Sequence, residues 1–285
     1  MKWITWDQAA IAAVVSYLVF AASSRLTESA VTRFVVAASR ELGFVAAIYS
    51  VWRVARQLPI ANETGAIERA RWIANFQESL FLPSELSIQR WVVEHQTISE
   101  FATGYYAIVH VPSIIAFMIW LFLFKRPFYV RWRTGLAFTT FFCLVIRFLR
   151  IAPPRFLPEL GFVNLADKVG FKVFGSVGEG VSDQFAAMPS IHIAWAAVVT
   201  FGFVASCTGW WRWLMLLHLG ITFFVVAATG HHWWLDGIVA VALLGLSLMI
   251  DTQIQKRWRV RKEPEGKPRS PNQPEEASRV SALPA

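Results

Sequence analysis

An all-α, polytopic membrane helical bundle of six to seven transmembrane helices is the fold this sequence predicts, and three observations carry it. Of 285 residues, 55% are hydrophobic and only 16% charged, whereas a soluble domain carries roughly 25% charged residues. Mean hydropathy is positive, at +0.45. Apolar windows of spanning or nearly spanning length recur at about 4–22, 34–55, 101–124, 134–151, 190–206, 211–229 and 233–250. Backbone polar groups in lipid must be satisfied within their own segment, so each window is expected to be a helix.

The first window is read as a retained helix rather than a cleaved leader, because Asp7 and a single Lys2 make a poor basic n-region. The second ends in Arg53 and Arg56. Seven spans place the N-terminus outside; a six-span alternative reassigns one of these first two windows. Between them and the third window, Trp72, Ile73, Phe76 and Leu80 recur at helical spacing among Glu68, Arg69, Arg71 and Glu78. That pattern predicts an amphipathic helix on the membrane surface. Tryptophans gather at predicted span ends (Trp3, Trp6, Trp52, Trp120, Trp132, Trp210, Trp211, Trp233, Trp234), as interfacial belts require.

Net charge is +8, concentrated in Lys125–Arg133 and Lys256–Lys262 beside apolar windows. These clusters fit the positive-inside rule rather than nucleic-acid binding and put both segments on the cytoplasmic side. Counting spans then puts 152–189 and 230–232 together on the extracytoplasmic side of a cell membrane. Cys143 and Cys207 fall in or beside spans and give no disulfide framework. The predicted organisation is N-terminal transmembrane helices at 1–60, an amphipathic interfacial segment at 61–98, a catalytic membrane domain at 99–252, and a disordered, proline-rich cytoplasmic tail at 263–285.

Three segments carry chemistry. In Met188-Pro189-Ser190-Ile191-His192, proline opens a helix whose first amides suit phosphate oxygens, with Ser190 and His192 in the same turn. In His232-Trp233-Trp234-Leu235-Asp236, positions i and i+4 share a helix face, so the carboxylate can fix one imidazole tautomer and activate the other nitrogen. His231 is read as structural or substrate-contacting. Arg147, Arg150 and Arg155 flank one loop and suit bidentate phosphate contact, with Arg155, after two prolines, the preferred ligand. His95, His110 and His218 read as surface, interfacial or core residues. Ionisable groups at membrane depth are kept for function, but each segment alone also fits a plain helix cap, a buried polar pair or snorkelling arginines.

The order Ala152-Pro153-Pro154-Arg155, Met188–His192 and Thr229–Asp236 resembles the type-2 phosphatidic acid phosphatase superfamily, most nearly its inositol phosphorylceramide synthase branch of inositolphosphotransferases. The resemblance covers roughly residues 100–250. It departs from the usual pattern at Ile191, where a glycine is expected, and at Val226, where an arginine is expected; a Lys-x6-Arg-Pro segment is missing. The resemblance implies a lipid phosphatase or phosphotransferase acting on a lipid phosphate or phosphodiester without metal or cofactor. It implies nucleophilic attack by His232 through a phosphohistidine, orientation by Asp236, proton transfer by His192, and phosphate contacts from Arg155, Ser190, Arg150 and Arg147. Two readings of another kind stand beside it. One is a non-catalytic lipid transporter or scaffold on the same fold. The other is a haem protein using two of His110, His192, His218, His231 and His232.

Overall fold

The computed structural model describes residues 4–57, 64–170 and 184–262, the last four without side chains. The 263–285 tail lies outside the described residues. Eleven α-helices are described: α1 (Trp6–Ser23), α2 (Ala30–Gln57), α3 (Ala66–Ser79), α4 (Glu85–Glu94), α5 (Gln96–Ile108), α6 (His110–Phe124), α7 (Arg126–Ile146), α8 (Leu165–Val169), α9 (Ile191–Ser206), α10 (Met215–Ala228) and α11 (Trp234–Lys262). Among the described residues there is no β-strand, only an isolated bridge between Ile151 and Ala186.

Among the described residues, four stretches are long and apolar enough to cross a membrane: Trp6–Ser23, Ala30–Ala55, Trp210–Ala228 and Trp234–Trp258. The pair α5 and α6 makes a fifth if its 49° bend lies within one span. The expected window 101–124 is therefore two helices. Pro112 explains the break: it has no N–H to offer the Ile108 carbonyl and its ring collides with that group, and α5 ends at Ile108. The windows 134–151 and 190–206 correspond to α7 and α9. The first of these helices starts earlier and ends at Ile146, so residues 147–151 leave it for a loop. Arg126, Arg131 and Arg133 lie in its opening turns, and α9 has only 16 residues. Neither meets the same measure of length and apolarity.

Helix α9 is the axis of the bundle, packing against α6, α7, α10 and α11. Its alanines and valines make this possible: Ala194, Ala196, Ala197, Val198 and Val199 are buried on several sides, as expected of a helix apolar all round. Around it, one core cluster joins α4, α5, α10 and α11 through Val92, Ala102, Val225 and Ala240. A second joins α6, α7 and α11 through Phe117, Trp132 and Leu244. Helices α1 and α2 form a hairpin tied to the bundle by polar and aromatic contacts, Phe34 meeting Phe122 of α6 at 6.2 Å. Glu41 on α2 pairs with Arg133 on α7, and the guanidinium lies 4.6 Å from the Phe44 ring centroid.

The third cluster sits at the loop end of the bundle and positions the site. Ala70 and Ile73 of α3 pack there with Ile151, Ala152, Leu157, Phe162, Ala187 and Trp233, all from loops. Trp233 is its largest member; its ring meets Phe162 edge-on at 5.7 Å, and its Nε1–H donates to the Ala152 carbonyl at 3.0 Å. Trp233→Ala is expected to cost about 3–5 kcal/mol, the range for truncating a buried tryptophan, and to lower the unfolding temperature of the detergent-solubilised protein. An unchanged unfolding temperature would mean that this cluster does not hold the loops.

Candidate active site

Three loops far apart in sequence are stitched together at this end. The Ile151 N–H donates to Phe185 O at 2.8 Å and the Ala187 N–H to Ile151 O at 3.1 Å, joining the arginine loop to the segment before α9. The Arg155 N–H donates to Gly230 O at 3.0 Å, joining the arginine loop to the segment before α11. The Ser190 N–H donates to Asp236 O at 3.2 Å, joining the remaining pair. Gly230 has φ +66°, and a Cβ there would stand 2.7 Å from Gln89 Nε2 and 3.4 Å from Arg155 Cβ. Conformation and close approach both call for glycine.

Ser190, not Pro189, starts α9: it is the N-cap, and its hydroxyl oxygen accepts from the Ile193 N–H at 3.3 Å. The sequence reading offered the amides of Ser190, Ile191 and His192 to a ligand. The Ser190 amide is instead taken by Asp236 O, so first-turn donation falls to Ile191 and His192, which have no carbonyl one turn earlier in the helix.

His232 and Asp236 are buried, and His232 Nδ1 lies 3.3 Å from Asp236 Oδ2. Its shorter contact is with the Ala187 carbonyl, at 2.7 Å. A carbonyl oxygen only accepts, so Nδ1 carries the proton and Nε2 keeps its lone pair. That Nε2 faces His192 Nδ1 at 3.4 Å. With Nε2 the acceptor, His192 holds its proton on Nδ1, the tautomer following from the network. The aspartate does a second job: Oδ2 accepts from the Trp233 N–H at 2.8 Å, capping α11. Its Oδ1 has no hydrogen-bond partner among the described residues.

Aromatic and imidazole rings wall the pair. His231 is buried and stacked on Tyr106 with centroids 4.1 Å apart, and Tyr106 meets His192 at 4.4 Å. His110, set aside in the sequence as core or interfacial, is buried and meets the His192 ring edge-on at 4.9 Å. Tyr106 and His110 are isolated polar residues in an apolar window, and no spacing signal marks them. Arg155 is buried and interacts electrostatically with Tyr106. Burial pushes its guanidinium down to about 10, which still leaves it charged at neutral pH. Arg150 is buried, its carbonyl accepting from Arg69 Nε at 2.6 Å. Arg147 caps the end of α7. His192, His232, Asp236, Ser190 and Arg155 thus converge.

The largest surprise comes from α3 and α4. Glu85 Oε1 accepts from the Trp234 N–H at 2.9 Å and from Gln77 Nε2 at 2.8 Å. Gln77 Oε1 accepts from the Leu235 N–H at 2.8 Å. Gln89 Nε2 donates to the Val163 and Ala228 carbonyls, and its Oε1 accepts from the Val163 N–H. Burial holds the Glu85 carboxyl above its ordinary range. The sequence reading placed this segment at the membrane surface without assigning these three residues to the site.

A family model described as the PAP2 superfamily matches residues 71–250. No curated protein and no solved structure matches the chain.

Burial, then the nearby Arg155, holds the His231 imidazole well below its usual value of 6.5. The folded state keeps it neutral while the unfolded chain takes up a proton below about 6.5. Its contribution to stability is therefore present above that pH and lost as pH falls through it. His231→Phe retains an aromatic stack on Tyr106. The variant is expected to show a shallower drop in unfolding temperature between pH 7.5 and pH 5.5 than the wild type, as measured by scanning fluorimetry. Equal slopes would remove His231 from the acid response.

Proposed function

The chain belongs to the PAP2 superfamily, and from that premise we propose a multi-pass membrane enzyme that cleaves or transfers a phosphoryl head group of a lipid-linked substrate through a phosphohistidine. Membership suggests a phosphatase- or phosphotransferase-type lipid enzyme. One observation carries the finer reading: His232 Nδ1 is held by the Ala187 carbonyl and Asp236 while Nε2 faces His192 at 3.4 Å. A neutral imidazole with one nitrogen pinned and the other bearing a lone pair is an activated nucleophile.

In the proposed reaction a phosphate enters between the two imidazoles and displaces their mutual contact. His232 Nε2 attacks phosphorus, the bond from phosphorus to the lipid oxygen breaks, and His192 protonates the departing oxygen. Asp236 and the Ala187 carbonyl stabilise the positive charge that develops on the His232 ring. Water or an alcohol then gives its proton to His192 and attacks phosphorus. The P–N bond breaks and His232 is restored. Arg155, the Ser190 hydroxyl and the first-turn amides of α9 compensate the charge on the non-bridging oxygens. Arg150 and Arg147 are the further phosphate contacts, and no metal or cofactor enters a step. The same residues serve hydrolysis and transfer. The inositolphosphotransferase-like reading rests on the aromatic His231-His232-Trp233 segment and on Val226, which replaces an arginine usual in phosphatase relatives.

In the full proposed topology, α1, α2, the α5–α6 pair, α7, α9, α10 and α11 make seven spans of the cell membrane. The site lies at the extracytoplasmic face and the basic end of α11 in the cytoplasm. The basic Lys125–Arg133 segment supports this, because it opens α7 and a single span separates it from the arginine loop of the site.

His232→Ala and His192→Ala are each expected to abolish turnover while the protein still accumulates in membranes; full activity in either would sink the mechanism. Asp236→Asn should leave the imidazole in place but lower kcat by roughly 10²–10⁴, by analogy with loss of an orienting carboxylate. With a ³²P-labelled phospholipid, an acid-labile, base-stable phosphoprotein is expected in the wild type and none in His232→Ala. Release of inorganic phosphate then identifies hydrolysis, and a new labelled phosphodiester identifies transfer.

A further inference from the structure

Helices α3 and α4 bury polar side chains and expose aromatic ones beside charged residues such as Arg71, Glu78, Arg90 and Glu94. Their buried stripe includes Gln77, Glu85 and Gln89, beside Ala66, Ala70, Ile73 and Val92. Their outward side shows Trp72 at 61% exposure, Phe76 at 38%, Leu80 at 49% and Trp91 at 48%. Trp72 and Phe76 stack flat, 5.1 Å apart. At the turn between the helices Phe81 is 94% exposed with φ +55°, a conformation an aromatic residue rarely adopts. In water such an aromatic patch is an aggregation liability. At a bilayer interface it is an anchor.

The surroundings of the patch favour the bilayer. Trp91 lines a groove of about 460 Å³ with Ile98 and Phe101 of α5 and Leu217, Ile221 and Phe224 of α10. Those α10 residues lie in a span, so the aromatic face continues directly into the lipid-facing flank of the bundle. The opposite face grips the site. Glu85 and Gln77 occupy the Trp234 and Leu235 amides at the start of α11. Gln89 holds the carbonyl of Ala228 just before the histidine loop.

We propose that α3 and α4 form a membrane-surface clamp: Trp72, Phe76, Phe81 and Trp91 seat in the leaflet on the side of the site, while Gln77, Glu85 and Gln89 position the His232 loop and the start of α11. Its catalytic meaning rests on the phosphoryl-transfer reading; its geometry does not. Glu85, Gln77 and Gln89 act through His232 and Asp236 and are positioning residues. With the α11 amides already occupied by side chains, an entering phosphate is left to the N-terminal turn of α9. Seating of the aromatic face keeps the clamp closed on the loop, so the bilayer itself helps to set the nucleophile.

Two measurements independent of turnover test this on the full-length protein in phosphatidylcholine–phosphatidylglycerol nanodiscs. Nitroxides are placed singly at Phe76→Cys and Phe81→Cys, with Glu78→Cys as the polar reference, in a Cys143→Ala, Cys207→Ala background. Labels at 76 and 81 are expected to be open to oxygen and closed to a nickel chelate, with the label at 78 open to the chelate. Chelate access at 76 and 81, or shielding from both reagents as a protein partner would give, overturns the proposal. In ¹⁵N-histidine spectra the wild type is expected to show His232 as a single Nδ1–H tautomer. Glu85→Ala and Gln77→Ala should each mix or broaden that signal, whereas Glu85→Gln, which keeps an acceptor for the Trp234 N–H, should restore it. A merely structural role lowers the yield of the alanine variants but leaves the His232 signal of the folded fraction unchanged, and that result also overturns the proposal. Inactivity of the wild type toward lipid phosphates would remove the phosphoryl-transfer reading and leave both measurements standing.

Discussion

The hydrogen bond from His232 Nδ1 to the Ala187 carbonyl, 2.7 Å long, is the contact on which the site depends. It joins the loop before α11 to the loop before α9, across 45 residues of sequence, and fixes which nitrogen of the imidazole carries a proton. Asp236, fully buried, adds a second acceptor at Nδ1 and caps the α11 amide of Trp233. The usual orienting carboxylate is thus shared between a histidine and a helix terminus, and a backbone carbonyl supplies the shorter contact. Backbone is hard to displace, because Ala187 is itself tied to Ile151 in the arginine loop. Moving any one of the three loops therefore moves the His232 imidazole.

That dependence explains why polar side chains are buried on the inner side of α3 and α4. Helix α11 begins inside the cap, where its first amides are out of reach of bulk water, and an unmet buried N–H costs about 1–3 kcal/mol. Glu85 and Gln77 meet two of them and hydrogen-bond each other. A carboxyl in that position is stabilised by donors rather than by a cation, and burial raises its affinity for a proton. The inner side of α3 and α4 is thus polar at Gln77, Glu85 and Gln89, while their outer side carries aromatic and charged residues together, as the proposed seating at a bilayer surface requires.

Much of this was legible in the sequence because its signals are local. His232 and Asp236 are four residues apart, although His232 lies in the loop just before α11 and not on a shared helix face, and Pro189-Ser190 announces a helix start just before His192. The apolar windows located α1, α2, α9 and α10 within a few residues and the start of α11, which runs on past residue 250 to Lys262. What escaped depends on tertiary context. Gln77, Glu85 and Gln89 sit at helical spacing on a segment that reads as amphipathic, so their polarity suggested a water face until packing inverted it. Tyr106 and His110 stand in an apolar window without a spaced partner, and only the approach of α5 and α6 to α9 brings their rings to His192. The break before His110 was marked by Pro112, whose effect falls four residues earlier and so away from the proline itself.

Val226 joins these levels. Its side chain packs in the core cluster between α4, α5 and α11, leaving no room for a guanidinium directed at the site from that position. Its carbonyl nevertheless accepts from both the His231 and His232 N–H groups, so residue 226 holds the histidine loop through its main chain whatever its side chain. The loop geometry is therefore insulated from the replacement of arginine by valine, whereas the charge that would face a phosphate is not. In the proposed reaction that charge comes from Arg155, which its own N–H anchors to Gly230 beside the histidines. Arg155 is then the guanidinium tied to the histidine loop, and with Arg150, Arg147 and the first amides of α9 it would face the phosphate alike in hydrolysis and in transfer.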